Sequence, residues 1–218
     1  MTTEPVQYTI ALVTIGSFNP VIISPAWLQG KGALGKQETE SANIDIIHRE
    51  LTQFSLSWST CRVTPERFEL ICDSISYFEP MRDLFQSIFK VLRETPVNAI
   101  GINHVIVFDL GNATKFDQFG KFLATMDIWD ETISHSKLKT IEILEQPRKD
   151  NLPGYRNIKL EGISNAKAKY GISISINDHF EVKSVSDMLD VISKNWQSSF
   201  DQTKLITTSL WNQFLKRQ

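Results

Sequence analysis

Phe78-Glu79-Pro80-Met81-Arg82-Asp83-Leu84-Phe85-Gln86-Ser87-Ile88-Phe89-Lys90-Val91-Leu92, a turn at Thr95-Pro96, and then Ala99-Ile100-Gly101-Ile102-Asn103-His104-Val105-Ile106-Val107-Phe108 are the residues whose reading decides the fold. In the first run Phe78, Met81, Leu84, Phe85, Ile88, Phe89 and Leu92 recur at helical spacing, with Glu79, Arg82, Asp83, Gln86 and Lys90 opposite them. Pro80 falls in the first turn of this helix, where a missing amide costs little. The second run is rich in β-branched residues and apolar on both parities, as in a central strand with both faces occupied. A one-sided helix needs a sheet to cover, so helix and strand are read as one packed unit.

Upstream, residues 8–15 read as an interior strand stopped by Gly16 and Asn19-Pro20. Ser24-Pro25 supplies a capping hydroxyl and a proline at the first helical position, which predicts a short helical turn before Gly30. Residues 44–48 form a strand candidate. Residues 54–63 form a stronger one, with Phe54, Leu56 and Trp58 alternating with Ser55, Ser57 and Ser59. Thr64-Pro65-Glu66-Arg67 then makes a tight connection to a strand over 68–73, which predicts an antiparallel hairpin.

Downstream, Gly111-Asn112 turns the chain into a second helix marked by Phe116, Phe119, Phe122, Leu123 and Met126. Strands are expected over 138–144 and 155–161, on either side of the turn-rich segment 147–154. In the next strand, 170–177, Tyr170, Ile172, Ile174 and Ile176 alternate with Gly171, Ser173, Ser175 and Asn177, and Asn177-Asp178-His179 is read as its end. Its small residues fit exposure, a closely packed helix or a cavity wall equally well. From Ser186 onward Leu189, Ile192, Trp196 and Phe200 share one phase and Ile206, Leu210, Trp211 and Phe214 another. The break between them predicts either a bend at 201–203 in one long helix or two consecutive helices. Hairpins outnumber alternating strand and helix units, so the fold expected is α+β: a largely antiparallel sheet covered by amphipathic helices, with a long or bent C-terminal helix. It forms a single domain over 1–218, in which a recurring hairpin-then-helix order leaves room for two similar halves, 1–112 and 113–218.

The 218 residues suffice for a real core without disulfides or metals. A formal net charge of −2 offers no whole-chain attraction to nucleic acid or anionic lipid, so nucleic acid is a disfavoured partner. Cys61 and Cys72 are the only cysteines, which fits a reducing compartment. The N-terminal Met1-Thr2-Thr3-Glu4-Pro5 lacks a secretory pattern, and the longest apolar runs are strand-length. A cytoplasmic location without membrane contact is therefore expected.

His48, His104, His135 and His179 are scattered without metal-ligand spacing. Gly30-Lys31-Gly32-Ala33-Leu34-Gly35-Lys36 lacks the spacing of a phosphate loop, with Gln37 where the hydroxyl should stand, and no nucleophile elbow occurs. No catalytic, cofactor or metal residue is assigned, which favours a role other than catalysis. Three sets of residues remain. Asn103 and His104 on the central strand, with Cys72 beside Asp73, form a candidate polar pocket; the plainer reading is a hydrogen-bonded buried pair and a small buried thiol. Arg148, Lys149, Arg156, Lys159, Lys167 and Lys169 form a candidate basic patch, or else a solvated hairpin relieved by Asp150 and Glu161. Trp196, Phe200, Ile206, Leu210, Trp211 and Phe214 form a candidate partner-binding face, in a chain holding five tryptophans and thirteen phenylalanines, or else part of the core.

The succession of strand, Tyr77-centred turn, amphipathic helix and Gly101-Ile102-Asn103-His104-Val105 resembles the central segment of a sporadically distributed family of bacterial proteins of unassigned function. In that family a comparable strand carries an aromatic or aliphatic residue, Ile-Asn and then a basic residue, a position held here by His104. The resemblance spans the middle third of the chain and implies a prokaryotic accessory protein whose patchy occurrence suits mobile or defence-associated genes. It carries over no catalytic residues. The expected function is binding of another protein within a homo- or hetero-oligomer. The alternatives are a small-molecule or enzymatic pocket at Cys72, Asn103 and His104, and nucleic-acid contact through the hairpin 148–169.

Overall fold

The oily side of the mid-chain helix lies across a sheet, as its periodicity requires. The computed structural model describes residues 4–217. Strand β1 (Gln7–Gly16) is followed by two short helices, α1 (Pro25–Gly30) and α2 (Lys36–Glu40). The meander β2 (Asn43–His48), β3 (Leu51–Ser55), β4 (Thr60–Val63) and β5 (Arg67–Cys72) comes next. Helix α3 (Phe78–Val91) leads to the long strand β6 (Val97–Asp109), and α4 (Ala113–Leu123) and α5 (Asp127–Asp130) lead to β7 (Thr140–Glu145), β8 (Gly154–Ile163) and β9 (Gly171–Glu181). Helix α6 (Val185–Leu215) closes the order.

The nine strands form one antiparallel sheet in the order β2-β3-β4-β5-β1-β6-β9-β8-β7. β5 and β6 both flank β1, so α3 crosses over β1. Strand alternation then sorts the side chains into two faces. On one, Tyr8, Ile10, Leu12 and Thr14 stand opposite Ile106, His104, Ile102 and Ile100 of β6. Those four in turn stand opposite Ile174, Ile176, Asp178 and Phe180 of β9. α3, α4 and α6 pack on this face. The other face carries Asn103, Ser173, Ser175 and Asn177, so the small residues of β9 lie away from those helices.

Two clusters make up the core. Ile10, Leu12, Phe68 and Leu70 meet Met81, Phe85, Ile88 and Phe89 of α3, with Phe68 and Phe89 edge to face at 5.1 Å. Ile106, Phe108, Ile174 and Leu160 meet Phe119 of α4 and Trp211 and Phe214 of α6. α6 covers both clusters, since Ile192 and Trp196 belong to the first. Its 31 residues are capped by Ser184, whose hydroxyl accepts from the Asp187 amide, and Trp196 Nε1 donates to Glu79 on α3 at 2.6 Å.

Two expectations are corrected. Residues 54–63 are two strands, because a turn closed by the Leu56 amide and the Ser59 carbonyl interrupts them; the apolar and polar alternation simply runs on through the turn. β9 continues four residues past Asn177, to Glu181. Of the alternatives for the C-terminal segment the long helix holds: α6 is continuous through 201–203, and its buried row Val185, Met188, Ile192, Trp196, Ser199, Thr203, Thr207, Trp211, Phe214 keeps helical phase. The apparent break arises because small hydroxyl residues replace apolar ones for two turns in mid-helix.

Candidate functional site

Those hydroxyls sit over the most polar part of the covered face. His104 is fully buried, and its two ring nitrogens are both engaged: Nδ1 with the Tyr8 hydroxyl at 2.8 Å and Nε2 with the Ser199 hydroxyl at 2.9 Å. The chain thus links β1, β6 and α6 through one imidazole. Phe200 closes it on one side, its ring 4.8 Å from that of His104 and edge to face. Burial pushes the His104 pKa down to about 4, against a smaller upward pull from Asp178 and a downward one from Arg156. The neutral ring has one N–H to give and one lone pair to receive, which two hydroxyls can match completely. Burial also pushes the Tyr8 phenol up. With both nitrogens hydrogen-bonded and the ring fully buried, His104 ties the helix to the sheet.

Beside this chain lies a cavity of about 550 Å³ between the middle of α6 and strands β1 and β6. Tyr8, Ile106, Phe108, Phe200, Thr203 and Trp211 line it, with Asp201 and Lys204 along its rim. Its existence follows from the sequence of α6. Thr203 and Thr207 stand on the buried row between Trp196 and Trp211, and their short side chains leave space under the helix unfilled. Thr207 turns its hydroxyl to the Thr203 carbonyl at 2.9 Å. The Thr203 hydroxyl and the Trp211 indole N–H, on residues only 2 and 4 % exposed, have no hydrogen-bond partner among the described residues. A second hollow, about 360 Å³, lies between α4 and residues 133–138, but there the ionisable pair Asp117 and Lys137 is already joined at 3.1 Å.

The candidate polar pocket does not assemble. Cys72 and His104 share the covered face, with Ile10 of β1 between them, and the thiol donates to the Ser74 carbonyl at 3.3 Å. Burial pushes that thiol up, which leaves it protonated and inert at neutral pH. Asn103 points to the opposite face, where its amide donates to the carbonyls of Ala11 and Gly101 at 3.3 and 3.2 Å. Gly101 leaves room for these amides, since a Cβ there would stand 2.9 Å from Asn103 Nδ2 and 3.1 Å from Asn177 Oδ1. Consecutive strand residues point to opposite faces, so Asn103 and His104 do not converge.

No family model and no curated protein matches this chain. The site therefore has to be read from its own geometry. The basic patch is corrected: Arg148 and Arg156 are 3 and 7 % exposed and both bind Asp178, with Asp150 as the second partner of Arg148 and Glu145 that of Arg156. Arg148 also lies over the Phe180 ring, 4.1 Å from its centroid, and holds the Asp150 carboxyl below its usual range. Lys149, Lys167 and Lys169 are exposed, while Lys159 pairs with Glu161 at 2.8 Å, so no contiguous basic surface remains.

The aromatic face of α6 is corrected in the same way. Trp196, Trp211 and Phe214 are buried, Phe200, Ile206 and Leu210 are half-buried, and all six pack on the chain's own two clusters. What the sequence alone could not reveal is the set formed by Tyr8, Ser199 and Thr203. Their only signal was that hydroxyls fill the gap between the two apolar phases of α6. Among the described residues no group of three or more His, Cys, Asp and Glu could hold a metal ion, and no helix is long and apolar enough to cross a membrane.

Proposed function

We propose that this protein binds a small, mostly apolar molecule in the cavity beneath the middle of α6 and does not transform it. One observation carries the reading: a concave space of ligand size beneath α6, walled by Ile106, Phe108 and Phe200 and by Thr203, Thr207 and Trp211 of the helix. Apolar walls with a few polar groups are the usual composition of a ligand site. Binding without turnover is the reading because His104 is fully buried and is not among the residues that line the cavity. The test uses the apolar fluorescent probe N-phenyl-1-naphthylamine. Saturable one-to-one binding is expected, weakened about tenfold or more by Thr207→Phe and by Ile106→Trp, each of which fills the cavity. Binding that is absent, or that both filled and folded variants retain, overturns the reading.

A second reading, self-association, is favoured by the edge strand β2. All six of its residues are exposed, among them Ile44, Ile46 and Ile47, and its outer backbone groups face no further strand among the described residues. An apolar unpaired edge is a template for another strand, and the partner proposed is a second copy of this chain joined edge to edge. Light scattering should give a dimer at micromolar concentration that Ile46→Lys converts to monomer. A wild-type monomer removes this reading and leaves the cavity untouched.

A further inference from the structure

β1 and β6 carry apolar residues on both faces, yet α3, α4 and α6 cover only one side of the sheet they centre. On the other side Val13, Ala99 and Val107 are buried and belong to neither core cluster. Around them Thr9, Ala11, Val105, Ser173 and Ser175 remain partly exposed. A sheet face that meets water typically carries long polar and charged side chains. This one does not: from Thr9 to Val13, Gly101 to Val107 and Ser173 to Asn177 its residues are only Thr, Ala, Val, Gly, Asn and Ser. The first charged residues of this face on these three strands are Asp109 and Glu181, at the strand ends, and charge returns on the flanks with Glu69 of β5 and Lys159 of β8. A neutral centre inside a charged rim is the composition of a protein interface.

Size and shape select the occupant. Five strands, β5-β1-β6-β9-β8, spaced by about 4.8 Å and taken over about ten residues of about 3.4 Å each, present roughly 800 Å², the area one partner gives to a standard interface. Such a patch is about 24 Å wide, about twice the breadth of a helix, so a second sheet is the element that covers it. Two sheets of the same twist stack face to face with their strands nearly aligned, and small side chains let them approach closely. Two-fold symmetry sets the centre of a face against itself, where any charge would meet its own kind, and this centre holds none. We infer that the uncharged face stacks on the same face of a second copy of the chain, giving a dimer of two sheets with the helices outermost.

The β2 edge is the rival seat for self-association, and variants of each surface separate the two by light scattering at micromolar concentration. Wild type is expected to be a dimer. Val105→Lys and Ser175→Arg should be monomers with the circular dichroism of wild type, their dissociation constants raised about a hundredfold or more, whereas Ile46→Lys should stay dimeric. Ser175→Cys, close to isosteric, keeps the test sound should the charged variants misfold. Cys61 and Cys72 are buried, so maleimide reports position 175, and labelling should be about tenfold slower at micromolar than at nanomolar protein. The inference is overturned by a monomeric wild type, by a dimer that Ile46→Lys splits, by a dimer that folded Val105→Lys and Ser175→Arg leave intact, or by labelling equally fast at both concentrations. None of these outcomes touches the cavity beneath α6, whose test is binding of the probe.

Discussion

Asp178→Ala is expected to lower the free energy of unfolding by about 3 kcal/mol, the low end of what removing one partner from a buried ion pair costs. The carboxylate stands on β9 directly opposite Arg156 and accepts from the guanidinium groups of both Arg148 and Arg156. All three side chains are nearly or wholly closed to solvent. Alanine would leave two cations where water cannot reach them. The penalty stays at the low end because each arginine keeps a second carboxylate, Asp150 for Arg148 and Glu145 for Arg156. Asp150→Ala makes the comparison: that carboxylate is substantially exposed, and its loss should cost about 1 kcal/mol or less. Urea unfolding of the three proteins measures both numbers. An Asp178→Ala midpoint indistinguishable from wild type would mean that the arginines reach solvent and that segment 146–153 is not pinned to the sheet.

That buried cluster also marks where the sequence becomes hard to read. α3, β6 and the hairpin between β4 and β5 are legible because their information is local: a period of three to four, a run of β-branched residues, a Thr-Pro turn. Asp178 looks like the end of a strand because a charged residue amid isoleucines has no local justification. Its justification lies thirty residues upstream, in an arginine that itself reads as part of a wet loop. The continuous phase of α6 is hidden for a related reason. Patterning by hydrophobicity discards Ser199, Thr203 and Thr207, although small hydroxyls can face a covered sheet when His104 or a helical carbonyl receives them. The same omission conceals the cavity, which exists only because those residues are small. By contrast, the separation of Asn103 from His104 was available from alternation alone, since neighbours on a strand cannot share a face.

The stability of the protein should fall by about 3 kcal/mol between pH 7 and pH 4 on account of His104 alone. The sign is set by which state takes up the proton. In the unfolded chain His104 titrates at its ordinary 6.5, whereas in the folded protein burial holds it near 4. Between those values the unfolded state binds a proton that the folded state refuses, so unfolding is favoured progressively as pH drops through the window. Above pH 6.5 the contribution is complete and flat, and below pH 4 no more is lost. Tyr8→Phe/His104→Leu/Ser199→Ala replaces the whole hydrogen-bonded chain with apolar groups, which leaves no new orphan behind. The triple variant can be more or less stable than wild type; the measurement is the difference between their urea midpoints as a function of pH. His179, whose pKa is also lowered by burial, and the charges Asp178 and Arg156 that act on His104 are present in both proteins and drop out of that difference. Parallel pH profiles would show that the native imidazole accepts a proton near its ordinary value, which requires water at its nitrogens. Tyr8 borders the α6 cavity and touches His104, so a flat difference would also count against the dry surroundings on which the case against turnover there rests.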